Sequence, residues 1–465
     1  MNIFYQKNCY NTFVAAMVKL VYTQDLKSCA LNKRGGSIPS GGTSSVKYIY
    51  FIGDWRNWLA RTVWDREVAG SNPVSPTTSV AGVKKNNKGD HFLMKPTDFK
   101  TITGKSIPLP VFFPDATRAV LKTLDSSDIE STKTAGILVN TFHLNNFPGG
   151  SVIKEHKGVR NFMSWSGGVI SDSGGFQVMS LAKQFNGKDS VSDAGVKFKI
   201  PGTSKKILFT PKMSIDFQML LKTDMIVVLD DFTDLDANES RQRETVERTI
   251  SWAKECKKIF TKSCESRKLD PTKKPYLLGV VQGGHNLQLR KECTERLVEI
   301  GFDGLGYGGW PMKDDGQFNY DIPRVIGENS PPDYLLYGLG VGKPHEIVEM
   351  VKMGWNVFDC VLPTRDARHK RLYTYTAKSI NEIDLRQKDF YQYFVPDKEK
   401  YYHDHSPVSS ACDCLLCQRY DRSYLRHLFQ IGEMTAGRLA TIHNLRFYSI
   451  LMEKLQPVYT QLCQK

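Results

Sequence analysis

From Met94 onward, short apolar runs recur, and each ends in polar or glycine-rich residues before an amphipathic stretch begins. The runs are Gly136–Asn140, Gly168–Ser171 with Asp172 behind it, Met225–Leu229, Tyr276–Val281, Phe302–Tyr307, Tyr334–Leu339 and Trp355–Phe358. Runs this short and this continuous read as strands buried on both faces. The stretches between them carry helical spacing. Asp236 and Glu239 form a capping box for a helix that turns Val246, Ile250 and Ala253 inward. Leu287–Ile300 offers Leu289, Cys293 and Leu297 as its inner face, and Pro344 opens a helix through Ile347, Val348 and Val351. Strands that alternate with helices build a parallel sheet. Seven such strands over this length predict an α/β chain folded as a TIM (β/α)8 barrel, rather than an open sheet.

That architecture dictates where chemistry can sit, because the C-terminal ends of barrel strands share one face. Asn140, Asp172, Asp230, Gln282, Gly309 and Asp359 all stand at such ends and are expected to line one pocket. One aspartate there is commonly a cap. Three at equivalent places in successive units point to acid–base or nucleophilic work. Behind Asp359, Pro363 and Thr364 predict a turn. Arg365, Arg368, His369, Lys370 and Arg371 then place cations beside the carboxylate, which suits attack on an electrophile within a polyanion. The net charge of +14 fits such a partner.

Ten cysteines are scattered apart from Cys412, Cys414 and Cys417, a usage that fits a reducing, cytoplasmic setting. C-x-C-x-x-C with a later histidine supplies three thiolates and one imidazole, a closed tetrahedral Zn2+ site with no open position for catalysis. His443 is preferred as fourth ligand over His427, because the longer gap lets a helix return to the metal. A structural zinc-binding subdomain is therefore expected at about residues 405–450. Arg419, Arg422, Arg426, Arg438 and Arg446 are expected to give it a basic surface. No apolar run approaches the roughly 18 residues of a membrane span, and no signal peptide is evident.

Residues 1–93 differ from the rest. They hold 8 Lys and 4 Arg against 5 acidic residues and show no sustained periodicity. Read plainly, this is a disordered basic arm. Read through its codons, Gly70-Ser-Asn-Pro73 corresponds to GGT TCG AAT CC, the T-arm of a tRNA gene. On that reading residues 1–93 are a spurious translation, Met94 is the true start, and the working unit is 94–465.

The motifs Val139-Asn-Thr-Phe-His-Leu144, Ser171-Asp-Ser-Gly-Gly-Phe-Gln177, Val281-Gln-Gly-Gly284, Gly340-Val-Gly342, Phe358-Asp-Cys-Val-Leu-Pro-Thr-Arg365 and the Cys/His set occur in one order. In that order, from about Pro108 to Leu455, the chain resembles the tRNA-guanine transglycosylases, or queuine tRNA-ribosyltransferases. The resemblance implies exchange of guanine at the anticodon wobble position for a 7-deazaguanine, preQ1 or queuine, in queuosine modification. It implies that Asp359 is the nucleophile forming a covalent ribosyl intermediate and Asp172 the general acid/base. It places Asn140, Phe176, Asp230, Gln282, Gly308, Gly309 and Leu339 around the base, and Arg365 and Arg368 on tRNA phosphates. A homodimer with one zinc per subunit is the expected assembly.

The sequence also departs from that pattern. Phe176 stands where Tyr is common and Leu339 where Met is common. Phe232 and Trp310 stand where small residues are usual, and the segment between Arg371 and Cys412 is longer. Bulk at 232 and 310 is expected to reshape the pocket around the 7-substituent. Two other readings are a DNA 7-deazaguanine transglycosylase and a non-catalytic tRNA-binding subunit. Retention of both Asp172 and Asp359 speaks against the second.

Overall fold

The computed structural model describes residues 94–186, 190–199, 206–234, 237–313 and 315–464. Expectations about residues 1–93, and about Asp236 as a helix cap, lie outside them. The core is eight parallel strands: β1 Val111–Pro114, β2 Gly136–Asn140, β3 Gly168–Asp172, β4 Met225–Val227, β5 Tyr276–Val281, β6 Gly304–Tyr307, β7 Leu335–Gly338 and β8 Val357–Cys360. Their spatial order is β1-β8-β7-β6-β5-β4-β3-β2, with every neighbouring pair parallel. The two ends of that order meet. Asp115 and Leu138 form a parallel bridge, and the Ala116 N–H donates to the Leu138 carbonyl at 2.7 Å. The sheet is thereby closed into the (β/α)8 barrel that the strand–helix alternation predicts.

Seven of the eight strands were legible as apolar runs, with ends one or two residues out. β1 was not. Its four residues follow Pro110 and end on Pro114, so the run is too short and too broken by proline to announce a strand. Tertiary pairing to β8, from Val111 against Val357 to Pro114 against Cys360, makes it one.

The helices behave as their stripes require. In α1 (Glu239–Ser266), Val246, Ile250 and Ala253 are buried, and the cap is Asn238, whose side chain accepts from the Arg241 N–H. In α2 (Leu287–Ile300), Leu289, Cys293 and Leu297 are buried, and Asn286 caps the start. In α3 (Pro344–Lys352), proline occupies the first turn and Ile347, Val348 and Val351 face inward. The residues after β8 differ from expectation. They form a helix, α4 (Leu362–Arg368), rather than a turn, because Pro363 falls in the first turn, where its fixed φ favours helix.

A 30-residue helix, α5 (Met434–Cys463), packs across the barrel beside α4 and buries residues around most of its circumference. Asn444, wholly buried, holds three backbone groups: its amide donates to the carbonyls of Pro363 at 3.0 Å and Arg371 at 3.1 Å, and its oxygen accepts from the Tyr373 N–H at 3.1 Å. Among the described residues, no helix is long and apolar enough to cross a membrane.

The opposite end of the barrel is tied by one carboxylate. Asp224, fully buried just before β4, accepts from the Val169 N–H at 2.6 Å, the Ile102 N–H at 2.9 Å and Arg160 Nη2 at 2.6 Å. Removing it orphans two amides and takes the counter-ion from a largely buried guanidinium at once. Asp224→Ala is therefore expected to destabilise the fold by about 3–5 kcal/mol, read as a lowered urea midpoint. An unchanged midpoint would mean that this junction carries no weight.

Candidate active site

The residues at the C-terminal strand ends do gather on one rim. Asp359, 3% exposed in β8, is held through one oxygen: Oδ1 accepts from the Tyr337 hydroxyl at 2.8 Å and from the Gly340 N–H at 2.8 Å. Two donors on one oxygen hold the carboxylate in place at the end of β8. Tyr337 lies in the middle of β7, where a tyrosine among leucines reads as core. Only the pairing of β7 with β8 reveals it as a partner of Asp359.

Asp172, at the end of β3, is buried in a different cage. Asn140 at the end of β2 donates Nδ2 to Asp172 Oδ2 at 2.7 Å. The N–H groups of Thr141 and Gly174 donate to Oδ1 at 3.3 and 3.1 Å. The register that sets Asn140 directly opposite Asp172 makes this pair. Asn140 also caps the short helix Thr141–Asn146, so one side chain fixes both a helix start and a carboxylate.

Asp230 lies three residues past β4, close enough to Asp172 for the two charges to interact. Burial pushes its carboxyl up to about 6; the Gln282 hydrogen bond opposes the shift, and Asp231 and Asp172 add to it. Gln282, fully buried, donates Nε2 to Asp230 Oδ2 at 2.6 Å, and its Oε1 accepts from the Thr233 N–H at 3.3 Å. Gln282 thus binds the ends of β4 and β5 together. Gly308 is glycine for a steric reason: a Cβ there would stand 2.6 Å from Gln282 Nε2. Asp231 faces away from the pocket into a structural ion cluster, accepting from Arg248 Nη1 at 2.6 Å and from Arg241 Nη2 at 3.1 Å.

Three aromatic rings line the mouth. Phe176 and Phe232 stand edge to face with centroids 5.1 Å apart, and Trp310 meets Phe176 at 6.4 Å and Phe232 at 5.9 Å. Leu339, half-buried beyond β7, lies over Gly306 of β6, where a Cβ would meet its Cδ1 at 2.4 Å. A flat heteroaromatic ring has stacking surfaces here, with polar groups at its edge.

Arg365 and Arg368 occupy the last turn of α4, two turns from Asp359. Arg365 is only 13% exposed, and its Nε lies 3.5 Å from Asp366. Arg368 Nε donates to the Thr364 carbonyl at 3.0 Å. Both are fixed by the helix rather than waving on a solvated loop.

The cysteine cluster is assembled as its spacing demands. One ligand atom each from Cys412, Cys414, Cys417 and His443 lie within 4.8 Å of one another. His443 Nδ1 is 3.2 Å from Cys417 Sγ and 3.5 Å from Cys414 Sγ, and its Nε2 meets the Tyr373 carbonyl at 2.8 Å. That outer hydrogen bond places the ring proton on Nε2 and turns Nδ1 to the thiols, as a metal-ligating imidazole requires. His427 is exposed and takes no part. The four groups fit a tetrahedral soft metal ion.

The expected basic surface around this centre needs correction at four of its five arginines; Arg419 is exposed as expected, its guanidinium 6.0 Å from the Tyr420 ring centroid. Arg446 is spent on Asp413 and Glu453, Arg438 on Asp128, Arg422 on Asp404 and Arg426 on Glu399. Arg446 and Arg426 are buried besides. Sequence counts charges but does not pair them. Arg438 ties α5 to Asp128 of the barrel, and the other three knit the C-terminal segments to one another.

A family profile described as queuine tRNA-ribosyltransferase matches residues 97–457. Among curated relatives, the queuine tRNA-ribosyltransferase of Acinetobacter baylyi is 35% identical over 367 residues, covering 78% of this chain and 87% of the relative. That of Thermoanaerobacter pseudethanolicus is 36% identical over 355 residues, covering 76% and 87%.

The metal centre yields a direct check. Elemental analysis of the purified chain is expected to find one tightly held metal ion, and Cys417→Ser is expected to lose it together with thermal stability, because ligand-site binding energy is folding energy. A metal-free wild type of full stability would refute the site.

Proposed function

The chain belongs to the queuine tRNA-ribosyltransferase family, and from that premise we propose how its rim residues perform the exchange. It is a tRNA-guanine transglycosylase, a pentosyltransferase of queuosine tRNA modification. The observation that carries the residue assignment is the pair of differently caged carboxylates, Asp359 and Asp172, on one barrel rim.

Asp359 is the nucleophile. Its carboxylate attacks C1′ of the wobble nucleotide, the C1′–N9 bond breaks, and an aspartyl–ribosyl ester forms. Asp172, next to the incoming and outgoing base, gives the departing guanine its proton and takes one from the incoming base, whose N9 then attacks C1′ and releases Asp359. Exchanging one base for another keeps the glycosidic bond energy nearly level, and the covalent intermediate splits one difficult displacement into two easier ones. Asp230 and Gln282 take the polar edge of the base, while Phe176 and Leu339 supply its stacking faces. The target nucleotide must leave the anticodon stack to reach this rim. Arg365 and Arg368, rigid on α4 and joined directly to β8, hold phosphates beside the nucleophile. The four-ligand centre holds zinc. With every position taken by protein its role is structural, joining His443 of α5 to the segment that carries Cys412, Cys414 and Cys417.

The aromatic mouth bears on the incoming base. Phe232 and Trp310 fill space beside Phe176 with ring edges, so we assign this enzyme a 7-deazaguanine with a compact substituent, aminomethyl or cyano, in preference to queuine with its cyclopentenediol.

Radiolabelled guanine exchange into tRNA tests the activity, and denaturing gels test the roles. Asp359→Ala is expected to abolish both exchange and the covalent tRNA–protein band. Asp172→Asn is expected to slow exchange by roughly 10²–10⁴. A covalent band that persists in Asp359→Ala would reverse the two roles. Nucleoside mass spectrometry after incubation with each base separates the substrates. Trp310→Leu is expected to improve queuine use relative to preQ1, and efficient queuine incorporation by the wild type would contradict the steric assignment.

A further inference from the structure

Arg290 is the most unusual charge in the barrel wall. It projects from α2 and is fully buried. No carboxylate among the described residues forms an ion pair with it. Instead its guanidinium collects carbonyls from two loops of the active-site rim. Nη1 donates to Val281 O at 2.6 Å and Gly308 O at 2.7 Å, and Nε donates to Gly284 O at 2.9 Å. The plane lies over the Tyr307 ring, 5.2 Å from its centroid. Nη2 is buried and has no hydrogen-bond partner among the described residues. It lies 3.0 Å from where a Cβ on Gly309 would stand, with Gln282 Oε1 at 3.4 Å from the same point. A buried cation without a counter-ion is costly, and a chain that keeps one gains something from its charge or its fork.

The carbonyls that Arg290 holds belong to the ends of β5 and β6, which carry Gln282 and Gly309. Gln282 donates directly to Asp230. The groups around Asp230 are Asp231 beside it, Asp172 from β3, Gln282 from β5, Arg290 and Cys293 from α2, and Cys256 from α1. Burial pushes the Cys256 thiol up to about 12 and the Cys293 thiol up to about 11, so both are neutral. Asp231 is compensated by Arg241 and Arg248. Among these groups Arg290 is therefore the cation whose charge acts on Asp230 from beneath the pocket.

We infer that Arg290 is a positioning residue for base recognition: its fork aligns the Gln282 and Gly309 loops into one surface, and its charge keeps Asp230 a hydrogen-bond acceptor. The inference rests on the transglycosylase reading and adds a residue that never touches the base. The two halves separate by substitution. Lysine keeps the charge and loses the fork; methionine keeps the volume and loses both.

The test is guanine exchange by the full chain, with guanine and tRNA titrated separately across pH. Arg290→Lys is expected to raise the KM for guanine about tenfold, leave the KM for tRNA unchanged and leave the acidic limb of kcat/KM for guanine in place. Arg290→Met is expected also to move that limb upward by about one pH unit, because an aspartate losing a nearby cation protonates more readily. An Arg290→Lys enzyme with wild-type guanine KM overturns the proposal even if Arg290→Met does not fold. Equal losses for both substrates with an unmoved limb reduce Arg290 to scaffolding and also overturn it. A wild-type chain that exchanges no guanine refutes the transglycosylase reading itself.

Discussion

The parallel ladder is the constraint on which the rest of the molecule depends. Because all eight strands run the same way and the Asp115–Leu138 bridge closes the cylinder, every strand delivers its last residue to the same rim. Register then does the finer placement. Asn140 meets Asp172 because β2 and β3 pair residue for residue, and Tyr337 reaches Asp359 from the neighbouring strand. A slip of one residue would turn each of these side chains to the opposite face. The chemistry thus follows from backbone hydrogen bonding that contains no reactive group.

Three carboxylates on one rim would repel if left alike, and the wall keeps them different. Asp359 receives two donors on one oxygen. Asp172 receives an amide side chain and two backbone N–H groups. Asp230 has one neutral side-chain donor, and desolvation of its half-buried carboxyl raises its proton affinity. Identical side chains are thus given different electrostatic settings, the condition under which paired carboxyl groups can take separate roles. Near neutral pH Asp230 lies within reach of its own titration, so its neighbours decide how firmly it stays charged.

Much of this was legible in the sequence, and what was not follows a pattern. Seven strands and the inward faces of three helices were readable because apolar periodicity is a local signal. The three aspartates and the cysteine set were readable because position at a strand end and ligand spacing are local too. Proline-flanked β1 was hidden, since only pairing with β8 defines it. The helix after Asp359 looked like a turn because Pro363 breaks helices everywhere except in their first turn. The arginines around the metal centre looked like an open basic surface because their acidic partners lie up to 310 residues away in the chain. Tyr337 and Arg290 sit inside apolar or amphipathic runs, and nothing in those runs distinguishes a working polar group from a satisfied core one.

The hairpin and loop between α4 and the metal centre have their ends pinned. At one end Tyr373 gives its N–H to Asn444 and receives His443 Nε2 on its carbonyl; at the other, Cys412 joins the ligand cluster. Both anchors meet α5, at Asn444 and His443, so the intervening chain spans two fixed posts on one rigid helix. Lengthening such a loop costs little, about 0.6 kcal/mol for each doubling. The segment between Arg371 and Cys412 can therefore change in length at little cost to the fold, while Asp172 and Asp359 keep their places at the strand ends.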